Sequence, residues 1–468
     1  GHRLAILLEN RPEAVLLKLA CNGLGVSSVP VNPDYQPAEI AFLLQDSAAD
    51  LVVCVAERKA QMRAGIVASG RDVEMMLWGE DLPKARTAPP LSDPVGPGTE
   101  ASLLFTSGTT GRPKGCIMSH EYELSLGHWY AGLGGLATLQ PGQDRIYNPL
   151  PLFHVNAGIL QILGMVATGC CQIIPDRFST SRWWSELDQT GATACHYLGI
   201  IIPALMNEPA TENDLKPNIR FGVGAGVEPT LHRAFEKRFG FPLIEVWGMT
   251  EMCRVLADCH DPRMIDTRAM GRPRPGLDVR VVDDQDLEVA RGTPGEMVLR
   301  HSAETPRKGA FSGYLNLPDA TEEAWRGGWF HTGDTVMMDD SDMVFFVDRK
   351  KNIIRRSGEN IAAAEVEACL QDHPAVARVA VIAVEDAMRD EEVMACVVTN
   401  ETANEITAQI LFGHAKAHLA YFKAPGWIRF FDDIPVTCTQ KLQKHALFAE
   451  GESPFDGAFD MRHLKKRS

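Results

Sequence analysis

Residues 106–115 read Thr-Ser-Gly-Thr-Thr-Gly-Arg-Pro-Lys-Gly and follow directly on the short apolar run Ala101-Ser-Leu-Leu-Phe105. The chain passes abruptly from a strand-like segment into glycines and hydroxyls. Gly108, Gly111 and Gly115 let backbone N–H groups approach an anion without side-chain interference. Thr106, Ser107, Thr109 and Thr110 add hydroxyl donors, and Lys114 adds a compact positive charge suited to phosphate. The spacing is not that of the P-loop, Gly-x-x-x-x-Gly-Lys-Ser/Thr, because Pro113 precedes the lysine and Gly115 follows it. A flexible turn between strand and helix is the plainer alternative, and it gives the hydroxyls, glycines and lysine no purpose.

Upstream of this loop, strand-like and helical patterns alternate: strand 5–8, helix 12–23, strand 28–31, helix 37–46, strand 51–55. That alternation predicts βαβ units and a largely parallel sheet. The apolar run 157–174 is interrupted by Gln161, Thr168 and Gln172, so it reads as a buried helix and strand and not as a membrane span. Downstream, 279–282 and 296–300 flank turn residues and predict an antiparallel, barrel-like piece. A strand at 345–348 runs into the basic stretch Arg349-Lys-Lys351. Beyond it the pattern is a smaller unit: helix 363–371, strands 376–384 and 393–399, helix 404–419. A domain boundary is expected near 347–351, dividing the chain into 1–347 and 348–468.

Four further motifs follow the first in order: Val246-Trp-Gly-Met-Thr-Glu251, Gly328-Trp-Phe-His-Thr-Gly-Asp334, Asp348-Arg-Lys-Lys-Asn-Ile-Ile354 and Ile434-Pro-Val-Thr-Cys-Thr-Gln-Lys-Leu-Gln-Lys444. Together the five resemble the signature motifs of the adenylate-forming superfamily, which holds acyl-CoA synthetases, luciferases and the adenylation domains of peptide synthetases. The ending is most similar to the carnitine/crotonobetaine-CoA ligase branch. The resemblance covers nearly the whole chain. It implies an α/β fold: a large N-terminal domain of α/β subdomains plus a β-barrel-like part, and a small mobile C-terminal α+β domain hinged near 348–351. In that family a helical segment precedes the first strand, so an N-terminal segment is expected to be missing here.

The resemblance also assigns roles. Trp247 would lie against a purine face with Gly248 beside it, Thr250 would donate to a phosphate oxygen, and Glu251 would hold Mg²⁺, a hard cation that prefers carboxylate and phosphate oxygens. Trp stands where the family has Tyr. Gly222-Val-Gly-Ala-Gly-Val-Glu-Pro229 fits the adenine loop, with Gly224, Ala225 and Gly226 beside the base. Asp334 would accept from the ribose hydroxyls and Arg349 would bind ribose or phosphate. Lys351 marks the hinge, and Gly358 suits passage of a narrow pantetheine chain. Lys441 aligns with the lysine that bridges the acyl carboxylate and the α-phosphate, where positive charge offsets the approach of two anions. Gln440 replaces a common glycine, and Lys444 competes with Lys441. His154, ending Pro149-Leu-Pro-Leu-Phe-His, fits a position that gates the acyl site.

Each role has a plainer counterpart. Trp247 is simply packed, Asp334 is an exposed turn aspartate, 349–351 is a solvated charge run, and His154 is a satisfied core histidine.

The formal net charge of −15 over 468 residues argues against a general nucleic-acid or anionic-membrane binder. Eleven cysteines without CxxC pairing indicate a reducing, cytoplasmic setting and mostly buried thiols. The expected activity is ATP-dependent ligation of a carboxylic acid to coenzyme A through an acyl-adenylate, with ATP, Mg²⁺ and coenzyme A as cofactor and co-substrates. Two alternatives stand beside it: adenylation with another acceptor, such as a carrier-protein thiol, and a non-catalytic nucleotide-binding homologue. No nucleic acid or transmembrane segment is expected, and a homo-oligomer is compatible with the sequence.

Overall fold

Alternating apolar residues in the first strand bury both of its sides, and this places helices on each face of the sheet. Ala5 and Leu7 pack with Ile40, Leu43, Leu44 and Met62, from helices Pro37–Ser47 and Lys59–Ser69. Leu4, Ile6 and Leu8 pack with Cys21, Val53 and Met76, under helix Pro12–Gly23. A period of two along a strand covered on both faces gives this continuous apolar run. Pro12 and Pro37 open their helices at positions whose N–H needs no partner. The second helix adds a capping box between Gln36 and Glu39.

The structure is a computed structural model that describes residues 2–81, 94–106, 113–211, 214, 218–349, 352–356, 359–386, 389–419, 421–436, 442–449 and 451–465. Its residues fall into two compact units.

The first unit, Gly1–Val279 with Leu299–His331 and Ser341–Phe345, carries two large sheets. One has seven strands in the order Gly313–Tyr314, Lys114–Ser119, Glu100–Thr106, Ser27–Pro30, Arg3–Leu7, Leu51–Cys54, Glu74–Leu77. Its members from Ser27–Pro30 to Glu74–Leu77 run parallel, whereas Glu100–Thr106 and Lys114–Ser119 pair antiparallel. The sheet is therefore mixed. Lys114 begins a strand and does not end a loop that leads into a helix.

The other sheet has six strands, in the order Leu256–Ala257, Leu243–Trp247, Phe221–Ala225, Ala194–Leu198, Arg145–Tyr147, Cys171–Ile173, parallel except at Leu256–Ala257. Its core gathers Tyr147, Trp183, Phe235, Phe239 and Phe241. The run expected to hold a buried helix and strand forms a π-helical turn, Asn156–Gln161, then helix Ile162–Thr168 and strand Cys171–Ile173.

The second unit comprises Arg280–Val298, Thr332–Asp340 and Phe346–Ser468. The barrel-like piece expected around 275–300 is part of a five-stranded sheet in which Gly295–Arg300 lies between Phe330–Met338 and Asp278–Val282. The unit's own larger sheet follows the order Glu359–Ala362, Ile353–Arg356, Asp390–Thr399, Trp427–Phe430, Phe459–Asp460, with Val376–Asp386 also on Asp390–Thr399. Helices Ala363–Gln371 and Glu405–His418 cover one face through Val366, Leu370, Leu411 and Ala415. Ile434 and Leu447 close the other face over Ala380, Met394 and Cys396. Beneath them a buried carboxylate, Glu392, takes Arg356 and Lys465 together at 2.8 and 2.6 Å. No helix among the described residues is long and apolar enough to cross a membrane.

Candidate active site

The antiparallel register sets Thr106 opposite Lys114, and Thr106 Oγ1 donates to the Lys114 carbonyl at 3.5 Å. Ser107, Gly108, Thr109 and Thr110 lie outside the described residues. Lys114 is well placed by its strand: its ammonium sits 4.8 Å from the centroid of the Tyr314 ring. Tyr314 belongs to the short edge strand Gly313–Tyr314, paired on Lys114–Ser119. Its hydroxyl donates to Glu251 Oε1 at 2.9 Å. Burial first, and then the Glu251 charge, push the Tyr314 phenol far above its usual range, so it stays a donor.

Glu251 is held on its other side as well. The Phe311 N–H donates to the Glu251 carbonyl at 3.0 Å. Tyr122, fully buried on helix His120–Ala131, donates its hydroxyl to the Thr250 carbonyl at 2.8 Å. The Thr250–Glu251 turn is thus pinned by two tyrosines and one backbone bond. Glu251 itself is buried, a single carboxylate with hard oxygen donors. That fits Mg²⁺, which is bound through one or two carboxylates with water and phosphate completing its shell.

Trp247 ends strand Leu243–Trp247 and is only 5% exposed; Gly248 after it is exposed. The glycine stretch is organised by a residue that sequence reasoning passed over. Glu245, in the neighbouring strand, accepts from the Gly226 N–H at 2.9 Å, the Val227 N–H at 3.4 Å and the Tyr197 hydroxyl at 2.7 Å. Burial raises its pKa against those bonds. At Gly224 any Cβ would fall 2.4 Å from the Tyr197 carbonyl oxygen, and Gly226 holds φ at +87°. Both positions require glycine. Gly224 and Ala225 close strand Phe221–Ala225, so the loop begins at Gly226.

In the second unit, Asp334 follows Gly333, whose φ is +69°. The Asp334 N–H donates to Thr332 Oγ1 at 3.0 Å, and the Gly333 N–H donates to Glu296 Oε1 at 3.1 Å. The aspartate is 1% exposed, not an exposed turn residue, and its Oδ1 lies 2.8 Å from Arg349 Nε. Asp348, next to it, accepts from the N–H groups of Arg349 and Ala364 at 2.6 and 2.8 Å. It therefore ties the start of the basic run to the first turn of helix Ala363–Gln371, where a carboxylate is favoured. Lys351, Gly358 and Lys441, with Gln440, lie outside the described residues. Lys444 pairs with Glu367 at 2.8 Å.

The AMP-binding enzyme family matches residues 1–315, and the AMP-binding enzyme C-terminal domain matches 365–441. The chain belongs to this family. Among curated relatives, this AMP-binding enzyme is 30% identical over 454 residues to a sulfoacetate–CoA ligase of Cupriavidus necator, covering 95% of this chain and 86% of the relative. It is 29% identical over 474 residues to a crotonobetaine/carnitine–CoA ligase of Citrobacter koseri, covering 96% and 88%. It also resembles the solved structure of o-succinylbenzoate CoA synthetase (MenE) from Bacillus subtilis in complex with its acyl-adenylate intermediate. There the TM-score is 0.80 and the identity 25%, over 96% of this chain and 88% of that one.

His154 is half-buried in this AMP-binding enzyme, with its ring centroid 4.4 Å from that of Phe153. It lines a cavity of about 50 Å³ with Phe153, Ile159, Lys18 and Ser102, enough for a few water molecules. Asn156 nearby is a fold residue: its Oδ1 accepts from Asn148 Nδ2 at 3.0 Å and from His196 Nδ1 at 2.8 Å. Tyr314, Tyr122 and Glu245 are the residues that sequence reasoning missed. A charged residue inside the apolar strand Leu-Ile-Glu-Val-Trp was the available signal for Glu245. Neither tyrosine stands in a motif, so neither had one.

Proposed function

We propose that this AMP-binding enzyme activates a small carboxylic acid with MgATP as its acyl-adenylate, releasing pyrophosphate, and passes the acyl group to coenzyme A, releasing AMP. It is an AMP-forming acid–thiol ligase. One observation carries the first half-reaction: Lys114 and Glu251, from motifs over 130 residues apart in sequence, meet on the one side chain of Tyr314. A cation for phosphate and a carboxylate for a hard metal are thereby brought together, an arrangement suited to the triphosphate of ATP.

Within that reading, Thr106, Ser107, Gly108, Thr109, Thr110 and Lys114 hold the leaving phosphates. Glu251 holds Mg²⁺, which neutralises charge on the transferring phosphate when bound. Gly224–Gly226, Trp247 and Gly248 form the adenine side, and Asp334 with Arg349 takes the ribose. Lys441 brings positive charge to the reacting carboxylate and α-phosphate. The domain boundary and hinge fall at 348–351, and rotation there exchanges Lys441 for the 357–361 segment, where Gly358 lets the pantetheine arm pass. His154 stands at the acyl entrance. The acid is compact and bears a second polar or charged group, as do the acids for which the relatives are named.

The test is pyrophosphate release from ATP with sulfoacetate, carnitine, crotonobetaine, o-succinylbenzoate and simple short acids, each with and without coenzyme A. Acid-dependent release that turns over only with coenzyme A is the expected result. Release indifferent to coenzyme A would replace it with another acceptor. ATP binding without release for any acid would favour a non-catalytic homologue.

A further inference from the structure

Between the last two of these motifs in sequence, two helices of the second unit bring sulfur and imidazole groups together. Helices Ala363–Gln371 and Glu405–His418 share the buried cluster of Leu370, Leu411 and Ala415, with Cys369 packed at its margin. One ligand atom each from Cys369, His414 and His418 lie within 4.8 Å of one another. His414 and His418 stand four residues apart, so they project from one face of their helix, and their ring centroids are 4.4 Å apart.

The backbone also selects their tautomers. His414 Nε2 lies 2.9 Å from the Cys369 carbonyl oxygen, and His418 Nδ1 lies 2.8 Å from the His414 carbonyl oxygen. A carbonyl oxygen only accepts, so each of these nitrogens carries the proton. The lone pair is left on His414 Nδ1 and on His418 Nε2. Metal-binding histidines characteristically have their second nitrogen anchored in this way. His373, whose ring centroid is 5.1 Å from that of His414, is arranged oppositely: its Nδ1 accepts from the Ala375 N–H at 3.2 Å. The neutral ring then keeps its proton on Nε2, making His373 a wall of the cluster and not a ligand.

We propose that Cys369, His414 and His418 form a binding site for Zn²⁺, with water in the fourth position, that staples the two helices of the C-terminal unit. The donor set decides the metal. One sulfur and two imidazoles suit zinc, whereas Mg²⁺ and Ca²⁺ take oxygen. Tetrahedral ligation needs donor atoms about 3.5 Å apart, and with all three inside 4.8 Å of one another any tightening is small and within reach of the exposed His418 side chain. Both Cys369 and the histidine pair lie in the last turns of their helices, where the negative end of the helix dipole favours a cation. Binding releases the Cys369 thiol proton to solvent and forms the sulfur–metal bond without redox change.

The test uses untagged full-length protein stripped with chelator and titrated with Co²⁺, then Zn²⁺. One Co²⁺ per chain is expected, showing a thiolate-to-metal absorption band and tetrahedral d–d bands that one equivalent of Zn²⁺ abolishes. Cys369→Ser should lose the thiolate band, and His418→Asn should weaken Zn²⁺ binding about tenfold or more. Zn²⁺ should also raise the thermal midpoint of the wild type and not of either variant. His418 is exposed, so its variant keeps the test valid if Cys369→Ser folds poorly. A wild type without the thiolate band, or Zn²⁺ binding that both variants retain in full, overturns the proposal.

Discussion

Arg349 Nε lies 2.8 Å from Oδ1 of Asp334, a carboxylate that is almost wholly buried while the arginine stays 44% exposed on its side chain. The two residues proposed to take the ribose thus hold each other. A nucleotide bound as proposed would have to share or displace this pairing, with Asp334 already positioned by the Thr332 hydroxyl and the Gly333 turn. Replacing Asp334 by Asn keeps its size and removes its charge. Charge-assisted hydrogen bonds contribute about 1.5–3 kcal/mol, so Asp334→Asn should raise the KM for ATP on the order of 10- to 100-fold, with a smaller effect on kcat. An unchanged ATP KM in steady-state pyrophosphate assays would remove Asp334 from the nucleotide site.

Glu251 and Tyr314 should separate by magnitude. Glu251→Gln removes the proposed metal ligand and should shift the Mg²⁺ concentration for half-maximal activity upward by at least about tenfold. Tyr314→Phe deletes one hydrogen bond, worth about 0.5–1.5 kcal/mol, and keeps the ring beneath Lys114. Its Mg²⁺ dependence should move by no more than about tenfold. Equal Mg²⁺ titrations for Glu251→Gln and wild type would contradict the metal assignment.

The two candidate lysines of the last motif divide on partner. Lys444 is committed to Glu367, whose Oε1 also accepts from the Val381 N–H at 2.7 Å. Lys444→Ala should therefore leave adenylate formation within a few-fold of wild type. Lys441→Ala should slow adenylation by about 10²–10³-fold, the usual loss for one preorganised charge at a developing oxyanion. Single-turnover adenylate formation reads both, and a reversed order would transfer the role to Lys444.

His196 makes stability depend on pH. It is wholly buried, and burial lowers its pKa to about 3. Its Nε2 lies 2.8 Å from the Tyr130 hydroxyl and its Nδ1 2.8 Å from Asn156 Oδ1, a complete set for a neutral ring. The unfolded chain takes up the proton as pH falls through about 6.5, while the folded chain resists until about 3. Unfolding therefore binds a proton across that window, and stability falls as pH drops. Urea unfolding at pH 7 and pH 5 should differ by about 2 kcal/mol from this group, and His196→Gln should reduce the difference. An identical pH dependence in the variant would show that other groups set it.

Much of the fold was legible locally. Helix Pro12–Gly23 and helix Ala363–Gln371 have the bounds their apolar spacing predicts, because an amphipathic face is encoded within a dozen residues. The antiparallel pairing of Glu100–Thr106 with Lys114–Ser119 was not legible. Only 101–105 read as extended, and whether the chain returns beside it depends on what the neighbouring sheet edge accepts. The same limit hid Tyr314 and Tyr122, whose partners in the Thr250–Glu251 turn lie 63 and 128 residues away.

The amino-acid sequence by itself determined the family, the order of its five motifs and the chemistry each side chain offers, since residue type and short spacing are local properties of the chain. Only the tertiary structure decided which of those groups meet. Lys114 and Glu251 converge because an edge strand delivers Tyr314 between them, and Cys369 reaches His414 and His418 because two helices bury Leu370, Leu411 and Ala415 together. Burial of apolar surface is what drives such long-range pairings, and it acts on the whole chain at once.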